Sequence, residues 1–269
     1  MSYQVILYEK RAHVAIITLN VPERLNAISA ALRHDVHLAI DEAHADDDVR
    51  AVVLTGAGRG FCSGADLTGP AIAAGRAPPP PANQGERIDE MHWVGRWALA
   101  LAGLDKPLIG AINGVAAGAG MSTALACDLR VGSEQARFKS VFIERNLSPD
   151  SGMSYFLPRI VGYSRAADLI LTSRSVDAEE AYRIGLLDRL VKHEVLLEEA
   201  VKVAEQMTQH PPVALRVSKR VLQRNQDADL LEALRHEASS LDRARKATND
   251  GKESRLAFVE KRKGVFTGT

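Results

Sequence analysis

Apolar residues in this chain change period along its length, and the changes mark out the elements. Residues 3–8 and 13–19 are β-rich and flank Glu9, Lys10 and Arg11, a pattern that predicts a hairpin. Ser29 stands where an N-cap is expected, ahead of a helix to about residue 44 with Leu32, Val36, Ala39, Ile40 and Ala43 on one face. Residues 51–55 and 107–112 are short continuous apolar runs, suited to strands buried on both faces. A helix is predicted over residues 86–104, with Ile88, Met91, Val94, Trp97, Ala98 and Leu101 at helical spacing. The small-residue run 121–127 predicts a tightly packed helix, and residues 129–131 a further strand. Past residue 191 strand-like runs stop, and three or four amphipathic helices follow. This order predicts an α/β domain over residues 1–195 and a helical region over residues 196–269.

Composition narrows the classes of partner. Hydrophobic residues make up 46% and charged residues 25%, and 34 basic side chains balance 34 acidic ones. A chain with zero formal charge has no electrostatic footprint for nucleic acid or an anionic membrane, so neither partner is expected. The first residues lack a charged-then-apolar leader pattern, and no apolar run reaches the roughly 18 residues of a membrane span, so a cytoplasmic protein is expected. Cys62 and Cys127 sit in apolar or small-residue surroundings and are read as buried free thiols. The eight histidines are scattered without metal-ligand spacing, so no metal is expected. Residues 69–85, with four prolines at 78–81, suit neither a helix interior nor a central strand and are read as a surface excursion.

Chemistry is best sought where strands deliver the chain to helix N-termini, because free N–H groups there favour negative charge. Two glycine-rich turns qualify, residues 55–67 and 112–123. Gly56, Gly58 and Gly60 do not complete a dinucleotide fingerprint, which needs a third glycine where Phe61 stands. A Walker loop is excluded by the lack of G-K-[ST], and a serine-hydrolase elbow by the lack of G-x-S-x-G.

The run Val52–Val53–Leu54–Thr55–Gly56 through Phe61–Cys62–Ser63–Gly64–Ala65–Asp66–Leu67 resembles the crotonase-superfamily segment that carries a first oxyanion-hole amide. Residues 107–120, ending Gly118–Ala119–Gly120, are similar to the segment carrying the second. Val21–Pro22–Glu23–Arg24–Leu25–Asn26–Ala27 resembles the coenzyme-A-contacting turn, and residues 127–130, 156–162 and 180–186 match in order. Residues 257–263 resemble the final helix, so the resemblance spans nearly the whole chain. It implies a spiral of ββα repeats followed by an α-helical trimerisation region, assembling as a homotrimer or a dimer of trimers. It also implies an acyl-CoA thioester as substrate, with coenzyme A entering only as part of it and no separate cofactor. The thioester oxygen would be held by the N–H groups of Ala65 and Ala119. Arg24, Ala27, Arg59, Gly64, Asp66, Leu67, Gly118, Ser122, Phe142, Phe258 and Lys261 would line the substrate and coenzyme A site.

Membership of such a family leaves the reaction open, and the proton-transfer groups decide it. The family's hydratases carry two glutamates, at positions occupied here by Ser122 and Phe142. Neither side chain deprotonates water, so hydration by that route is disfavoured. Instead Asp150, in Leu147–Ser148–Pro149–Asp150–Ser151–Gly152, resembles the aspartate of the family's isomerases. One carboxylate at the rim of an apolar pocket, its pKa raised by burial, can take a proton from one carbon and return it to another. Local sequence alone also allows Asp150 to be a helix cap, and Glu144 reads as a solvated edge residue. The expected activity is double-bond isomerisation of an enoyl-CoA. The alternatives are hydration by another arrangement and a catalytically silent acyl-CoA-binding trimer.

Overall fold

The structure is a computed structural model that describes residues 2–68 and 83–269. Most of the expected excursion at 69–85 therefore lies outside the described residues. The chain opens on the expected hairpin: β1 (Ile6–Arg11) pairs antiparallel with β2 (Val14–Leu19), Ile6 opposite Leu19 and Arg11 opposite Val14. Glu9, Lys10 and Arg11 belong to the strand, not to the turn. An edge strand is half solvated, which lets charged side chains extend β1. Helix α1 (Ala30–Ala45) begins as predicted, with the Ser29 hydroxyl accepting from the Leu32 N–H at 3.1 Å. Its predicted apolar face, Leu32, Val36, Ala39, Ile40 and Ala43, is buried.

Strands β3 (Ala51–Gly56), β5 (Leu108–Ile112), β7 (Leu129–Ser133) and β10 (Arg189–Val191) extend the hairpin into a six-stranded sheet, parallel from β2 onward. Strands β4 (Gly60–Cys62), β6 (Val115–Ala117), β8 (Arg137–Lys139) and β9 (Val176–Asp177) form a second sheet in that order. Each successive pair, β3–β4, β5–β6 and β7–β8, gives its first strand to the larger sheet and its second to the smaller. Helices follow each pair. After β4 come α2 (Gln84–Arg87) and α3 (His92–Ala102), after β6 comes α4 (Ala119–Leu125), and after β8 comes α5 (Met153–Val161). The chain thus winds as a spiral of ββα units.

Both faces of the larger sheet are covered, which explains its continuous apolar runs. Val52, Leu54 and Leu108 share one cluster with α1, while Ala51, Val53, Ile109 and Ala111 share another with Leu196, Ala200, Val201, Val203 and Ala204. These last five lie on α8 (Leu196–Thr208), so the helix just past residue 195 packs as the lid of the α/β core. Helices α6 (Tyr163–Thr172) and α7 (Ala178–Arg183) lead up to β10 and α8. Beyond α8 extend α9 (Pro212–Arg224), α10 (Leu230–Arg245) and α11 (Thr248–Glu260). Helix α9 is fastened ionically. Arg216 and Arg220 meet buried Asp105, while the Lys219 ammonium donates to Asp128 at 2.7 Å and to the Lys106 carbonyl at 2.9 Å. No helix among the described residues is long and apolar enough to cross a membrane.

The single helix expected over residues 86–104 is interrupted: α2 ends at Arg87, α3 begins at His92, and His92 is left-handed at φ 50°. Asp89 supplies the reason. Its carboxylate accepts from the Met91 N–H at 3.2 Å and from Arg96 at 3.0 Å, offering the backbone a local alternative to the helix. Further on, α4 packs its backbone directly on β4. A Cβ at Gly120 would sit 2.0 Å from the Cys62 carbonyl oxygen. Gly120→Ala is therefore expected to lower the unfolding free energy by at least about 2 kcal/mol, the scale of core overpacking, measured by urea denaturation.

Candidate active site

The first glycine-rich turn is shaped by two asparagines. Buried Asn26 donates from Nδ2 to the carbonyls of Ala57 (3.0 Å) and Gly60 (2.8 Å) and accepts from the Val21 N–H at 2.9 Å. Asn113 donates to the Gly58 carbonyl at 2.9 Å. Their amides thus gather carbonyls that a short loop between strands would otherwise leave unpaired. Asn26 adopts φ 54°, a conformation asparagine tolerates better than most residues. Beyond Cys62 the chain runs beside the 25–28 turn: Ile28 N–H donates to the Gly64 carbonyl at 2.7 Å, and Asp66 N–H to the Ile28 carbonyl at 3.3 Å.

That pairing leaves the N–H of Ala65 with no acceptor among the described residues. Gly64, at φ 96°, lies against the second turn so closely that a Cβ there would sit 2.7 Å from the Ala117 carbonyl oxygen and 3.4 Å from the Ala119 nitrogen. Ala119 opens α4, so its N–H has no intrahelical acceptor and likewise no partner among the described residues. Two unpaired amides therefore stand on contacting loops, Ala119 almost fully buried and Ala65 half-buried. Such a pair can bind an oxygen on which negative charge develops, each donor being worth about 3–4 kcal/mol in comparable sites. The first turn of α4 is buttressed from behind. The indole N–H of Trp97 donates to the Thr123 hydroxyl at 2.8 Å, which donates to the Ala119 carbonyl at 2.7 Å.

Asp150 precedes α5, whose N-cap is Gly152 with no side-chain capping bond. The carboxylate is therefore not serving as the helix cap that local sequence allowed. Its Oδ1 is shielded from solvent and has no hydrogen-bond partner among the described residues. Burial pushes the carboxyl above the usual aspartate range; the Ser151 hydroxyl acts the other way but makes no hydrogen bond of normal geometry with it. The Asp150 backbone carbonyl accepts from the Ser122 hydroxyl at 2.9 Å and from the Met153 N–H at 3.0 Å. Ser122 and Phe142 are buried, and neither position supplies a carboxylate. Glu144 pairs with Lys139 at 2.7 Å on the surface, as an edge residue would.

Arg24 and Asp66 come together, with 2.9 Å between guanidinium and carboxylate; the same guanidinium reaches the Thr68 hydroxyl at 2.9 Å. The Thr68 hydroxyl and N–H, with Arg24, hold the Asp66 carboxyl below its usual range. Ala27 is buried beside this turn, while Arg59 and Leu67 are exposed. Gly118 precedes Ala119 at φ 51°. Phe258 (85% exposed) and Lys261 lie at the end of α11 and share no hydrogen bond or ion pair with the two glycine-rich loops. Both cysteines are buried, and burial pushes each thiol up to about 12. Among the described residues no group of three or more His, Cys, Asp or Glu side chains gathers to hold a metal. Thr123 and the two asparagine clamps carried no signal beyond their residue types, since the Trp97 donor to Thr123 and the carbonyls that the asparagines gather lie far away in sequence.

An apolar cavity of about 960 Å³ opens between α3, α5 and α9, lined by residues including Met91, Gly95, Leu99, Gly152, Tyr155 and Leu222. It excludes Ala65 and Ala119 and approaches the Asp150 turn at Gly152.

A family profile described as Enoyl-CoA hydratase/isomerase matches residues 9–269. A Rhizobium meliloti protein named probable enoyl-CoA hydratase is 37% identical over 99% of both chains. The short-chain-enoyl-CoA hydratase of Clostridium acetobutylicum is 32% identical over 98% of this chain and 97% of that one. Among solved structures, an enoyl-CoA hydratase from Bacillus anthracis superposes with a TM-score of 0.89 at 31% identity, covering 99% of this chain and 100% of that one.

The raised Asp150 pKa has a consequence for stability. The folded chain favours the protonated carboxyl, so ionisation costs stability above the folded pKa, and the cost vanishes below the unfolded value of about 3.9. Asn cannot ionise. Asp150→Asn is expected to melt at a higher temperature than wild type at pH 7, with the difference closing as the pH falls below about 4. Thermal melts at several pH values check this.

Proposed function

Because the chain belongs to the enoyl-CoA hydratase/isomerase family, we propose that it acts on an acyl-CoA thioester by moving a double bond, with Asp150 as the sole proton carrier. The reading is supported above all by the Asp150 carboxylate, half-buried, unpartnered at Oδ1 and free of a capping role, where Ser122 and Phe142 supply no acid.

In this scheme the thioester oxygen of a 3-enoyl-CoA accepts from the Ala65 and Ala119 amides. The Asp150 carboxylate removes a proton from C2, and the electron pair spreads over a dienolate whose oxygen charge the two amides stabilise. The carboxylic acid returns the proton to C4, leaving the 2-enoyl-CoA and a regenerated carboxylate. Burial suits the group to the first step, since a raised pKa makes the carboxylate a stronger base. No cofactor is needed beyond the coenzyme A of the substrate. Arg24, Ala27, Arg59, Gly64, Asp66, Leu67, Gly118, Phe258 and Lys261 are the proposed substrate and coenzyme A contacts. A homotrimer is part of the proposal: α10 buries none of its residues within the chain and exposes Leu230, Leu231, Leu234 and Leu241.

A second reading, addition of water, has in its favour that the relatives above are named as hydratases, the Rhizobium meliloti protein as a probable one. Turnover of cis-3-enoyl-CoA and trans-2-enoyl-CoA by wild type and Asp150→Asn separates the two. Isomerisation lost by about 10²-fold or more in the variant, with coenzyme A affinity retained, is expected. Hydration that survives in the variant would favour the second reading.

A further inference from the structure

We infer that Ser122 is a positioning residue, its hydroxyl tying the Asp150 turn to the helix that presents the Ala119 amide and so fixing base and oxyanion donor in one frame. The inference rests on the isomerase reading above and adds to it the group that sets the placement of the proton carrier.

Asp150 has little else to locate it. Its Oδ1 is unpartnered, so the carboxylate is oriented chiefly by where the backbone puts its Cα. That backbone is irregular: Ser151 has φ 51°, a left-handed conformation that a non-glycine residue keeps only when neighbouring structure supports it, and Gly152 follows at φ 85°. The Asp150 carbonyl receives one bond from its own turn, the Met153 N–H at 3.0 Å, and one from outside it, the Ser122 hydroxyl at 2.9 Å. The latter is the only hydrogen bond between α4 and residues 147–152 among the described residues.

Ser122 is itself tightly placed. It is fully buried, and its N–H donates to the Gly118 carbonyl at 3.0 Å, one turn along from the Ala119 amide. A hydroxyl has one proton to give. The alternative acceptor on its own helix, the Gly118 carbonyl, is at 3.4 Å and the Asp150 carbonyl at 2.9 Å, so the cross-link is the better bond. The other end of α4's first turn is held by Thr123 and Trp97, leaving the Ser122 bond as the adjustment between the two halves of the site. Where the family's hydratases carry an acid, this chain uses a hydroxyl to hold an acid that arrives from elsewhere.

The test compares Ser122→Ala and Ser122→Cys with wild type and Asp150→Asn, using cis-3-enoyl-CoA as substrate. Cysteine fills nearly the same volume but is a weak donor, so it removes the bond without opening a cavity. Both Ser122 variants are expected to lose about 10- to 100-fold in kcat, the scale of a small misplacement of reacting groups, with KM within about two-fold of wild type. Wild-type kcat in Ser122→Cys, alongside an inactive Asp150→Asn, would overturn the positioning role and leave the isomerase reading standing. A rise in KM matching the fall in kcat, with a melting temperature lowered in both Ser122 variants, would mean a structural role and equally overturn it. Wild-type turnover in Asp150→Asn would remove the isomerase reading, and this inference with it.

Discussion

Two backbone amides without acceptors among the described residues sit at the centre of this fold, and close main-chain packing keeps them together. An N–H shielded from water without a partner is costly, and the general rule is that such groups are paired. Here Ala65 is left free by a parallel bridge to Ile28 that uses its neighbours' groups, and Ala119 by its place at the start of a helix. Bringing the two together requires main chain packed on main chain, with Gly64 against residues 117–119 and Gly120 against the Cys62 carbonyl. The spiral of ββα units supplies that contact, because consecutive units leave consecutive turns side by side at one edge of the smaller sheet.

A site made of backbone does not by itself choose a reaction, so the surrounding side chains carry that burden. The carboxylate of Asp150 is held without a partner at Oδ1 and with its acidity weakened by burial, a local instability that the rest of the fold must tolerate. Elsewhere the structure pairs its buried charges closely. Asp105 takes two arginines, Lys219 bridges Asp128 and the Lys106 carbonyl, and the Lys106 ammonium collects two carbonyls at the end of α1 at 2.7 Å each. That contrast supports the proposed chemical role of Asp150.

Much of the architecture was legible because hydrophobic period is a local property. The hairpin, the Ser29 cap with its apolar face, and the buried runs at β3 and β5 follow from spacing alone. The break between α2 and α3 was not legible, since the Asp89 carboxylate competes for the backbone through contacts that spacing does not report. Nor was the packing of α8. Its amphipathic pattern announces a buried face without saying that the second face of the sheet covers it. At the site, the glycine-rich turns identified where the amides lie, and the identities of Ser122 and Phe142 argued against the two-acid route. Whether Asp150 capped its helix could not be read locally, because the answer depends on Gly152 taking the cap position. The Ser122 bond joins residues 28 apart in sequence and was invisible to any window.

In the proposed mechanism one carboxylate, shielded at Oδ1, both removes and returns the proton. This is tested most directly by following the isotope. A cis-3-enoyl-CoA carrying deuterium at both C2 positions, turned over in ordinary water, is predicted to yield 2-enoyl-CoA with deuterium at C4, since the acid formed on Asp150 is shielded at Oδ1. Deuterium transfer to C4 that persists in Asp150→Asn would contradict the single-carrier account and point to a second group.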